Sequence, residues 1–322
     1  MKLDSSVRAL VTGGAGFIGS HLVDALLARG AHVAVIDNFF LGKEENLAVA
    51  RQAGDRFALF REDAAEFEAL AATVDAFRPT VVYNLATKAL GYSFFNPAGA
   101  CRVNLDIALG LLELQRAGRY AKLVHLSSSE VYGTAQRVPM DEDHPLLAET
   151  TYAAGKAAAD LAVASYVRMF ELDAITVRPF NNYGPRQNDK ALAAIVPLTF
   201  RRIAEGERPV IQGDGEQTRD LVFVLDTIDA LLRLTEADVP RGSVLNVGSG
   251  QQTSMNTLVA AMAKELGYTG PIEHAPARVA DVRRHCADVH RVEAIIGPVA
   301  RTPLAEGLAT TLAWYRAERE RA

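Results

Sequence analysis

The chain has 322 residues, of which 49% are hydrophobic and 23% are charged, which is the balance of a globular protein. No stretch reaches the roughly 18 consecutive apolar residues of a membrane span. We expect no signal peptide, because the first ten residues include an acid and lead into a strand. The net charge of -5 excludes a general attraction to nucleic acid. Two cysteines, Cys101 and Cys286, cannot build a disulfide framework, and we expect a cytoplasmic protein.

Apolar runs of strand length alternate with longer stretches of helical period over the first 180 residues. The predicted strands are Val7 to Thr12, His32 to Ile36, Arg56 to Phe60, Thr80 to Leu85, Ala121 to Ser127 and Ala174 to Pro179. The predicted helices are Phe17 to Arg29 and the stretches at about 64–77, 98–118 and 151–170. Because parallel strands need crossover connections, this alternation predicts an α/β protein with a doubly wound parallel sheet.

The pattern changes after Pro179, where a polar, turn-rich stretch runs from Asn181 to Asp189. The stretch from Ser243 to Val247 again has the apolar, β-branched character of a core strand. We therefore predict a discontinuous larger domain of residues 1–180 plus about 220–253. A smaller C-terminal α/β domain takes residues 181–219 and 254–322.

A glycine-rich loop joins the first predicted strand to the first predicted helix. Gly13, Gly16 and Gly19 give a G-x-x-G-x-x-G spacing at this junction, where a tight turn and free helix amides accept a pyrophosphate. Asp37 ends the second strand, where a carboxylate accepts hydrogen bonds from a ribose diol and repels a 2′-phosphate. These residues predict a Rossmann dinucleotide domain that binds NAD rather than NADP.

Tyr152 and Lys156 stand at positions i and i+4, on one face of a predicted helix. An ammonium near a phenol favours the phenolate, so this tyrosine can act as an acid or base below its free pKa of about 10. Ser128 closes an earlier strand and offers a hydroxyl to a substrate oxygen. Following a dinucleotide loop, the three residues together predict an active site.

With these motifs the chain resembles the extended short-chain dehydrogenase/reductases that act on nucleotide sugars. The resemblance covers essentially the whole length and rests on TGGAGFIGSH at 12–21, HLSSSEVYG at 125–133, YAAGK at 152–156, RPFNNYGPR at 178–186 and GDGEQTRDLVFV at 213–224. It implies that Tyr152 is the catalytic acid/base, that Lys156 lowers the tyrosine pKa and positions the nicotinamide ribose, and that Ser128 aids catalysis. It also implies a homodimer formed through the helices at 98–118 and 151–170.

The resemblance further implies which residues hold NAD and the nucleotide sugar. Asp37 and Asn38 correspond to the adenosine-ribose site, and Asp63 to the residue near adenine. Besides Tyr152 and Lys156, the other implied cofactor residues are Gly13, Gly16, Phe17, Ile18, Gly19, Leu85, Ala86, Asn104 and Pro179. The implied residues for a UDP- or dTDP-sugar are Lys88, Ser128, Asn181, Arg219 and Arg278. The larger domain is then NAD-binding and the smaller one nucleotide-sugar-binding.

Glu130 bears on the reaction, because the resemblance gives dehydratases and decarboxylases an acid at this position and simple 4-epimerases a small or neutral residue. A carboxylate with a pKa of about 4.3 is ionised at pH 7 and can remove a C5 proton that a 4-keto group has made acidic. The segment 128–146, SSEVYGTAQRVPMDEDHPL, also resembles 4,6-dehydratases of the legionaminic-acid type. The favoured reaction is therefore NAD-dependent 4,6-dehydration with Glu130 as the C5 base.

Three alternatives stay open from the sequence. The first is 4-epimerisation of a UDP-hexose or UDP-hexuronate. Ser129 stands where dTDP-glucose dehydratases have a second acid, so the sequence leaves the proton donor to the 6-hydroxyl unassigned. The second is decarboxylation of a nucleotide hexuronate, which is disfavoured because His285 stands where the resemblance expects an arginine. The third is a non-enzymatic NAD-binding relative, which commonly lacks the tyrosine or lysine. His285, Cys286 and His290 are too few and too poorly spaced for a metal site, so we expect none.

Overall fold

A computed structural model describes residues 1–189, 192–277 and 282–321. Its strands, in chain order, are β1 (Arg8–Thr12), β2 (His32–Ile36), β3 (Phe57–Phe60), β4 (Val81–Asn84), β5 (Lys122–Leu126), β6 (Asp173–Pro179), β7 (Asn181–Tyr183), β8 (Val210–Gln212), β9 (Thr218–Arg219), β10 (Leu221–Phe223), β11 (Val244–Val247), β12 (Thr253–Ser254) and β13 (Glu273–Ala275).

The α-helices of the described residues cover both faces of a sheet and build the rest of the chain. In chain order they are α1 (Phe17–Ala28), α2 (Phe67–Phe77), α3 (Pro97–Arg116), α4 (Thr151–Phe170), α5 (Ile195–Ala204), α6 (Val224–Glu236), α7 (Met255–Leu266), α8 (His290–Ile296) and α9 (Leu304–Arg321). Short 3₁₀ helices cover Glu44–Leu47, Ala50–Arg56, Leu90–Phe94 and Ser129–Tyr132. Across the described parts of the chain, no helix has both the length and the apolar character to cross a membrane.

Within the described residues, seven strands form one parallel sheet in the order β3-β2-β1-β4-β5-β6-β11. Helices α1 and α6 pack on one face, and α2, α3 and α4 pack on the other. The central strands β4 and β5 are buried along their whole length, as strands covered on both faces must be. The strand order reverses between β1 and β4, and ligands of such sheets bind at the carboxyl ends of the strands at this point.

The predicted doubly wound parallel sheet is confirmed, and the ends of its predicted strands shift by no more than one residue. The helix predicted from about residue 64 begins only at Phe67. The Asp63 carboxylate accepts a hydrogen bond from the Ala65 amide over 2.9 Å, and this contact holds a turn where the helix was expected to start.

The largest difference from the sequence prediction lies just after β6. The polar stretch that begins at Asn181 was predicted to be turn-rich, but its first residues form β7, which pairs in parallel with β10. The Asn181 amide donates to the Asp220 carbonyl over 2.9 Å, and the rings of Tyr183 and Phe223 are 5.6 Å apart. Pairing with a distant segment makes this strand, and the local sequence does not encode that partner.

The second part of the chain contains two further strand pairs. β8 and β13 are parallel, whereas β9 and β12 are antiparallel. Helices α5, α7 and α9 enclose an apolar cluster that includes Phe200, Leu258 and Leu312. β11 pairs with β6 at the edge of the main sheet, although it lies far along the chain. The division into residues 1–180 plus 220–253 and a second domain stays a prediction.

Helices α3 and α4 cross at very short distance, and Gly155 makes this crossing possible. A Cβ at Gly155 would lie 2.8 Å from the Cα of Cys101 and would also collide with the Cys101 carbonyl oxygen. Both atoms belong to a helix backbone, which cannot yield as a flexible side chain can. Because Gly155 lies between Tyr152 and Lys156, the crossing also sets how deeply that turn of α4 is buried.

We predict that Gly155→Ala lowers the free energy of unfolding. In an exposed helix interior this change stabilises by about 1 kcal/mol, but here the added methyl overpacks the crossing and costs about 1–3 kcal/mol. Thermal denaturation followed by circular dichroism checks the sign. Ala154→Gly, at the exposed neighbouring position, is the matched control and should cost about 1 kcal/mol through helix propensity alone. A raised midpoint for Gly155→Ala would contradict the argument.

Candidate active site

A cavity of about 1180 Å³ opens at the carboxyl ends of β1, β4 and β5. Most of the residues predicted from the sequence line it: Gly13, Gly16, Phe17, Ile18, Gly19, Asp37, Asn38, Asp63, Leu85, Ala86, Lys88, Ser128, Glu130, Tyr152, Lys156, Pro179, Asn181 and Arg219. Arg278, also predicted, lies outside the described residues. The cavity therefore brings the predicted cofactor and catalytic residues to one place.

The glycine loop leaves the first amides of α1 open to the cavity. Gly16 is the N-cap residue and has no side chain to bond these amides. Gly13 has a φ of +69°, and a Cβ there would lie 2.8 Å from the Cα of Ala86. A Cβ at Gly19 would collide with the Gly13 carbonyl oxygen. The loop thus combines free amides with a lack of side chains, and it fits a pyrophosphate.

Asp37 lies at the end of β2, on the wall of the cavity. Its carboxylate accepts hydrogen bonds from the Ala15 and Phe39 amides, at 2.9 and 2.8 Å. Burial raises the pKa of Asp37, and these amide contacts oppose the rise. Asn38 donates from its side-chain amide to Asp63 over 2.7 Å, so the three residues predicted for the adenosine end lie together. A buried acid with two acceptor oxygens fits the ribose diol of NAD.

Tyr152 lies in the first turn of α4 and reaches the cavity beside Ser128 and Thr87, with which its hydroxyl forms hydrogen bonds. Burial raises the pKa of Tyr152 to about 12. The hydrogen bond with Ser128 opposes that rise, and the negative charge of Glu130 adds to it. The phenol therefore needs a nearby positive charge before it can act as a base near neutral pH.

Lys156 lies one turn further along α4 and is 2% exposed. Its ammonium donates to the Leu126 carbonyl over 2.8 Å. Burial lowers the pKa of Lys156 to about 8, and the negative charge of Asp160 opposes this fall. Most of the lysine is still protonated at pH 7, so a positive charge lies one turn from Tyr152 on α4.

Glu130 lies in a short 3₁₀ helix that follows β5. The Ser128 hydroxyl oxygen accepts a hydrogen bond from the Glu130 amide over 3.2 Å and caps this helix. Glu130 lines the cavity, and its charge acts on Tyr152. Ser129 is 2% exposed and is not part of the described cavity wall. The Ser129 carbonyl oxygen lies 3.1 Å from Nε2 of His285, a ring that is fully buried.

Three residues predicted to hold the sugar nucleotide, Lys88, Asn181 and Arg219, line the cavity. The Lys88 ammonium lies 3.6 Å from the centre of the Phe40 ring, and its charge opposes the rise that burial causes in the Asp37 pKa. Lys88 thus lies near the adenosine end, and its predicted contact with the substrate stays a prediction. Arg219 lines the cavity from β9, beside Asn181 on β7.

Asn104 was predicted to contact the cofactor, but it lies behind the cavity wall. It is 2% exposed, and its side-chain oxygen accepts a hydrogen bond from the Thr87 hydroxyl over 2.7 Å. Thr87 itself lines the cavity and bonds Tyr152, yet the sequence prediction omitted it. Thr87 follows β4 as Ser128 follows β5, and this position at a strand end could have indicated from the sequence that Thr87 belongs to the site.

The sequence prediction also omitted three arginines that line the cavity, Arg186, Arg201 and Arg202. Arg186 forms an ion pair with Asp24 at 2.7 Å, and Arg201 donates to the Asp189 carbonyl over 2.9 Å. Arg186 belongs to the RPFNNYGPR segment, whereas Arg201 carries no motif at all. Among the residues that the structure describes, no three His, Cys, Asp or Glu side chains are grouped so as to hold a metal ion.

Known proteins resemble this chain in fold and in sequence. The family model described as GDP-mannose 4,6 dehydratase matches residues 10–311. The UDP-glucose 4-epimerase of Mycolicibacterium smegmatis is 36% identical over 312 residues, which cover 96% of this chain and 99% of that protein. The UDP-glucuronic acid decarboxylase 1 of Xenopus tropicalis is 32% identical, over 97% of this chain and 73% of its own. A crystal structure of the Streptomyces venezuelae dTDP-glucose 4,6-dehydratase with NAD bound is 28% identical, with a TM-score of 0.91 over 98% of each chain.

The fold and the cavity define an NAD-dependent enzyme of the extended short-chain dehydrogenase/reductase class. Within that class, the chain belongs to the GDP-mannose 4,6-dehydratase family, alongside nucleotide-sugar 4-epimerases, 4,6-dehydratases and decarboxylases. Membership is common to all three reactions, so the choice among them depends on the side chains of the cavity.

We predict that NAD raises the midpoint of thermal unfolding and that NADP does not. The buried Asp37 carboxylate accepts hydrogen bonds from a free ribose diol and repels a 2′-phosphate. Scanning fluorimetry of protein stripped of nucleotide checks this, since a ligand at 100 times its Kd adds about 2.7 kcal/mol of stability. Asp37→Asn keeps the size of the side chain and removes its charge. The difference between the midpoint shifts caused by NAD and by NADP should therefore become smaller. Equal shifts with the unaltered protein would contradict the assignment.

Proposed function

We propose that the protein is an NAD-dependent nucleotide-sugar 4,6-dehydratase that acts on a UDP- or dTDP-hexose. The observation that carries this proposal is the placement of Glu130, a carboxylate in the same cavity as Tyr152 and Lys156 and close enough for its charge to raise the Tyr152 pKa. Bound NAD supplies the acceptor for the hydride of sugar carbon C4. The proton transfers fall to side chains of this chain.

Tyr152 removes the proton of the sugar 4-hydroxyl as C4 is oxidised. Lys156 is protonated at neutral pH and stabilises the resulting phenolate from one turn away on α4. Ser128 already bonds the Tyr152 hydroxyl, so it can hold the reacting sugar oxygen at the same point. The product of this step is a 4-keto sugar, whose carbonyl makes the neighbouring C5 hydrogen acidic.

Glu130 then removes the C5 proton, a C5–C6 double bond forms, and the C6–O bond breaks as water leaves. The leaving oxygen needs a proton, and Ser129 has no carboxyl group that could donate one. Among the described residues that line the cavity, the other carboxyl groups are Asp37 and Asp63, at the adenosine end. We therefore assign both roles to Glu130, which takes the proton from C5 and passes it to the leaving oxygen. The hydride removed from C4 then adds to C6 and a proton adds to C5, while Tyr152 releases the proton that it took, so the net change is the loss of one water.

4-Epimerisation is the second candidate. The 36% identity to the M. smegmatis UDP-glucose 4-epimerase, over nearly the whole of both chains, favours it. The neutral Ser129 favours it too, because that reaction needs no acid for a leaving hydroxyl. In epimerisation C5 keeps its hydrogen, and Glu130 moves no proton.

Decarboxylation finds less support in the cavity. Burial lowers the pKa of His285 to about 3, so the ring at the position of the expected arginine is neutral at pH 7. Arg283 pairs with Asp214 at the surface over 2.7 Å, and the exposed Arg284 is not part of the cavity wall. A neutral ring does not balance the charge of a 6-carboxylate.

We predict that incubation with UDP- and dTDP-hexoses gives a product lighter by one water, detected by mass spectrometry. An isomer of unchanged mass would support epimerisation instead. Glu130→Gln keeps the size of the side chain and removes the base, so water loss should slow by about 10²–10⁴-fold. Reduction of the bound cofactor by the sugar, followed by absorbance, should continue, because Tyr152 is intact.

Tyr152→Phe is the matched control for that experiment, because it should abolish both water loss and reduction of the cofactor. This pair of variants separates the two steps of the reaction. If water loss proceeds at the normal rate in Glu130→Gln, that result contradicts the role given to this residue, whatever the substrate.

We also propose a homodimer that forms through α3 and α4. Large apolar side chains of α4 face solvent in the single chain: Leu161 is 60% exposed, Met169 is 69% exposed and Phe170 is 41% exposed. α3 packs directly against this helix at the Gly155 crossing. A second copy that covers these side chains would remove them from water.

Light scattering should give about twice the chain mass of 34.7 kDa. Leu161→Glu should shift the protein to a monomer, because a carboxylate buried without a partner is strongly unfavourable. Leu147→Glu is the control, since Leu147 is an exposed apolar residue outside these helices and the dimer should survive the change. A monomeric unaltered protein would refute the dimer.

A further inference from the structure

A buried charge that the proposed steps do not use lies behind the catalytic pair. Asp160 follows Lys156 by four residues on α4, on the same face of the helix, and it is 4% exposed. Taking an ionised carboxylate out of water is costly unless cations and hydrogen-bond donors surround it. The surroundings of Asp160 therefore indicate what its charge is for.

Two neighbours from the sheet hold the Asp160 carboxylate. Arg178 on β6 donates from Nε to Oδ2 over 2.9 Å, and Nε2 of His125 on β5 lies 3.5 Å from Oδ1. Burial works to raise the pKa of Asp160, but the close approach of His125 and the charge of Arg178 hold it below its ordinary value. Asp160 is therefore an anion at neutral pH.

We propose that Asp160 is a positioning residue for the Tyr152–Lys156 pair, whose carboxylate keeps the Lys156 ammonium charged in a site that excludes water. The inference rests on the roles proposed above for Tyr152 and Lys156. It explains how a lysine that is 2% exposed, with a neutral carbonyl as its hydrogen-bond acceptor, can still serve as a cation.

The charged and titratable groups near Lys156 come from three elements. Along α4 these are Tyr152 and Asp160. His125 at β5 is neutral at pH 7, because burial lowers its pKa. Arg178 on β6 contacts Asp160 and also donates to the Tyr132 hydroxyl over 3.0 Å. Of these groups, Asp160 is the one whose charge favours the protonated lysine.

Glu130, in the 3₁₀ helix that follows β5, completes this set, with its charge acting on Tyr152. Removal of Asp160 would therefore leave Lys156 among a neutral ring and a guanidinium on the sheet side. Both the loss of the anion and the unbalanced cation of Arg178 disfavour a charged lysine. The expected direction is a lower pKa for Lys156.

A purely structural role makes a different prediction. If the Asp160–Arg178 ion pair served only to join α4 to β6, any substitution that breaks the pair would act in the same way on Lys156. Asp160→Asn and Arg178→Met both break it, but they remove opposite charges. The two variants therefore form a matched pair that separates positioning from structure.

The test is a titration of Lys156 by NMR, on full-length protein labelled with ¹³C at the lysine ε carbons. The Lys156 signal is assigned by its absence in Lys156→Met. In Asp160→Asn the midpoint of this signal should fall by about one pH unit or more. In Arg178→Met it should stay or rise, because the anion is left facing the lysine.

A midpoint that is unchanged in Asp160→Asn, or that falls equally in both variants, would overturn the proposal. If Asp160→Asn does not fold because it strands the guanidinium, the double variant Asp160→Asn/Arg178→Met removes both charges and should still show the fall. The titration needs no turnover. If the Glu130→Gln assay refuted the proposed dehydratase function, the result of the lysine titration could therefore still be interpreted.

Discussion

The cavity depends on one close backbone approach, between the glycine loop and the residues that follow β4. The Thr12 hydroxyl oxygen accepts hydrogen bonds from the Leu85 and Ala86 amides, at 3.1 and 3.0 Å, and so ties the end of β1 to the end of β4. Gly13 can follow Thr12 only because it has no Cβ to meet Ala86. The approach fixes the point where the strand order reverses, and with it the pyrophosphate loop and Thr87.

A second close approach sets the other side of the site. Gly155 lets α4 lie against α3, and the turn that contains it also contains Tyr152 and Lys156. The burial that removes Lys156 from water lowers its pKa, and the burial of Tyr152 raises the pKa of the phenol. Packing and electrostatics are therefore not separate properties here, because one helix crossing sets both.

Local patterns were enough to predict the parallel sheet, the glycine loop, Asp37 and the Tyr152–Lys156 pair, because each depends on neighbours within a few residues of the chain. They were not enough for β7, whose hydrogen-bonding partner lies about forty residues away at β10. Asn104 was assigned to the cofactor although Thr87 stands between it and the cavity. Which side chain faces a cavity, and which lies behind it, is decided by packing between elements and not by sequence spacing.

Two buried histidines connect the stability of the fold to pH. His125 and His285 are 1% and 0% exposed, and burial lowers both pKa values, that of His285 to about 3. Below about pH 6.5 these two histidines are protonated in the unfolded chain, whereas burial keeps them neutral in the folded state. The free energy of unfolding therefore falls as the pH falls from that value towards the folded pKa values, by about 1.4 kcal/mol per pH unit for each ring. The neutrality that keeps His285 from balancing a carboxylate thus makes proton uptake a driving force for unfolding in mild acid.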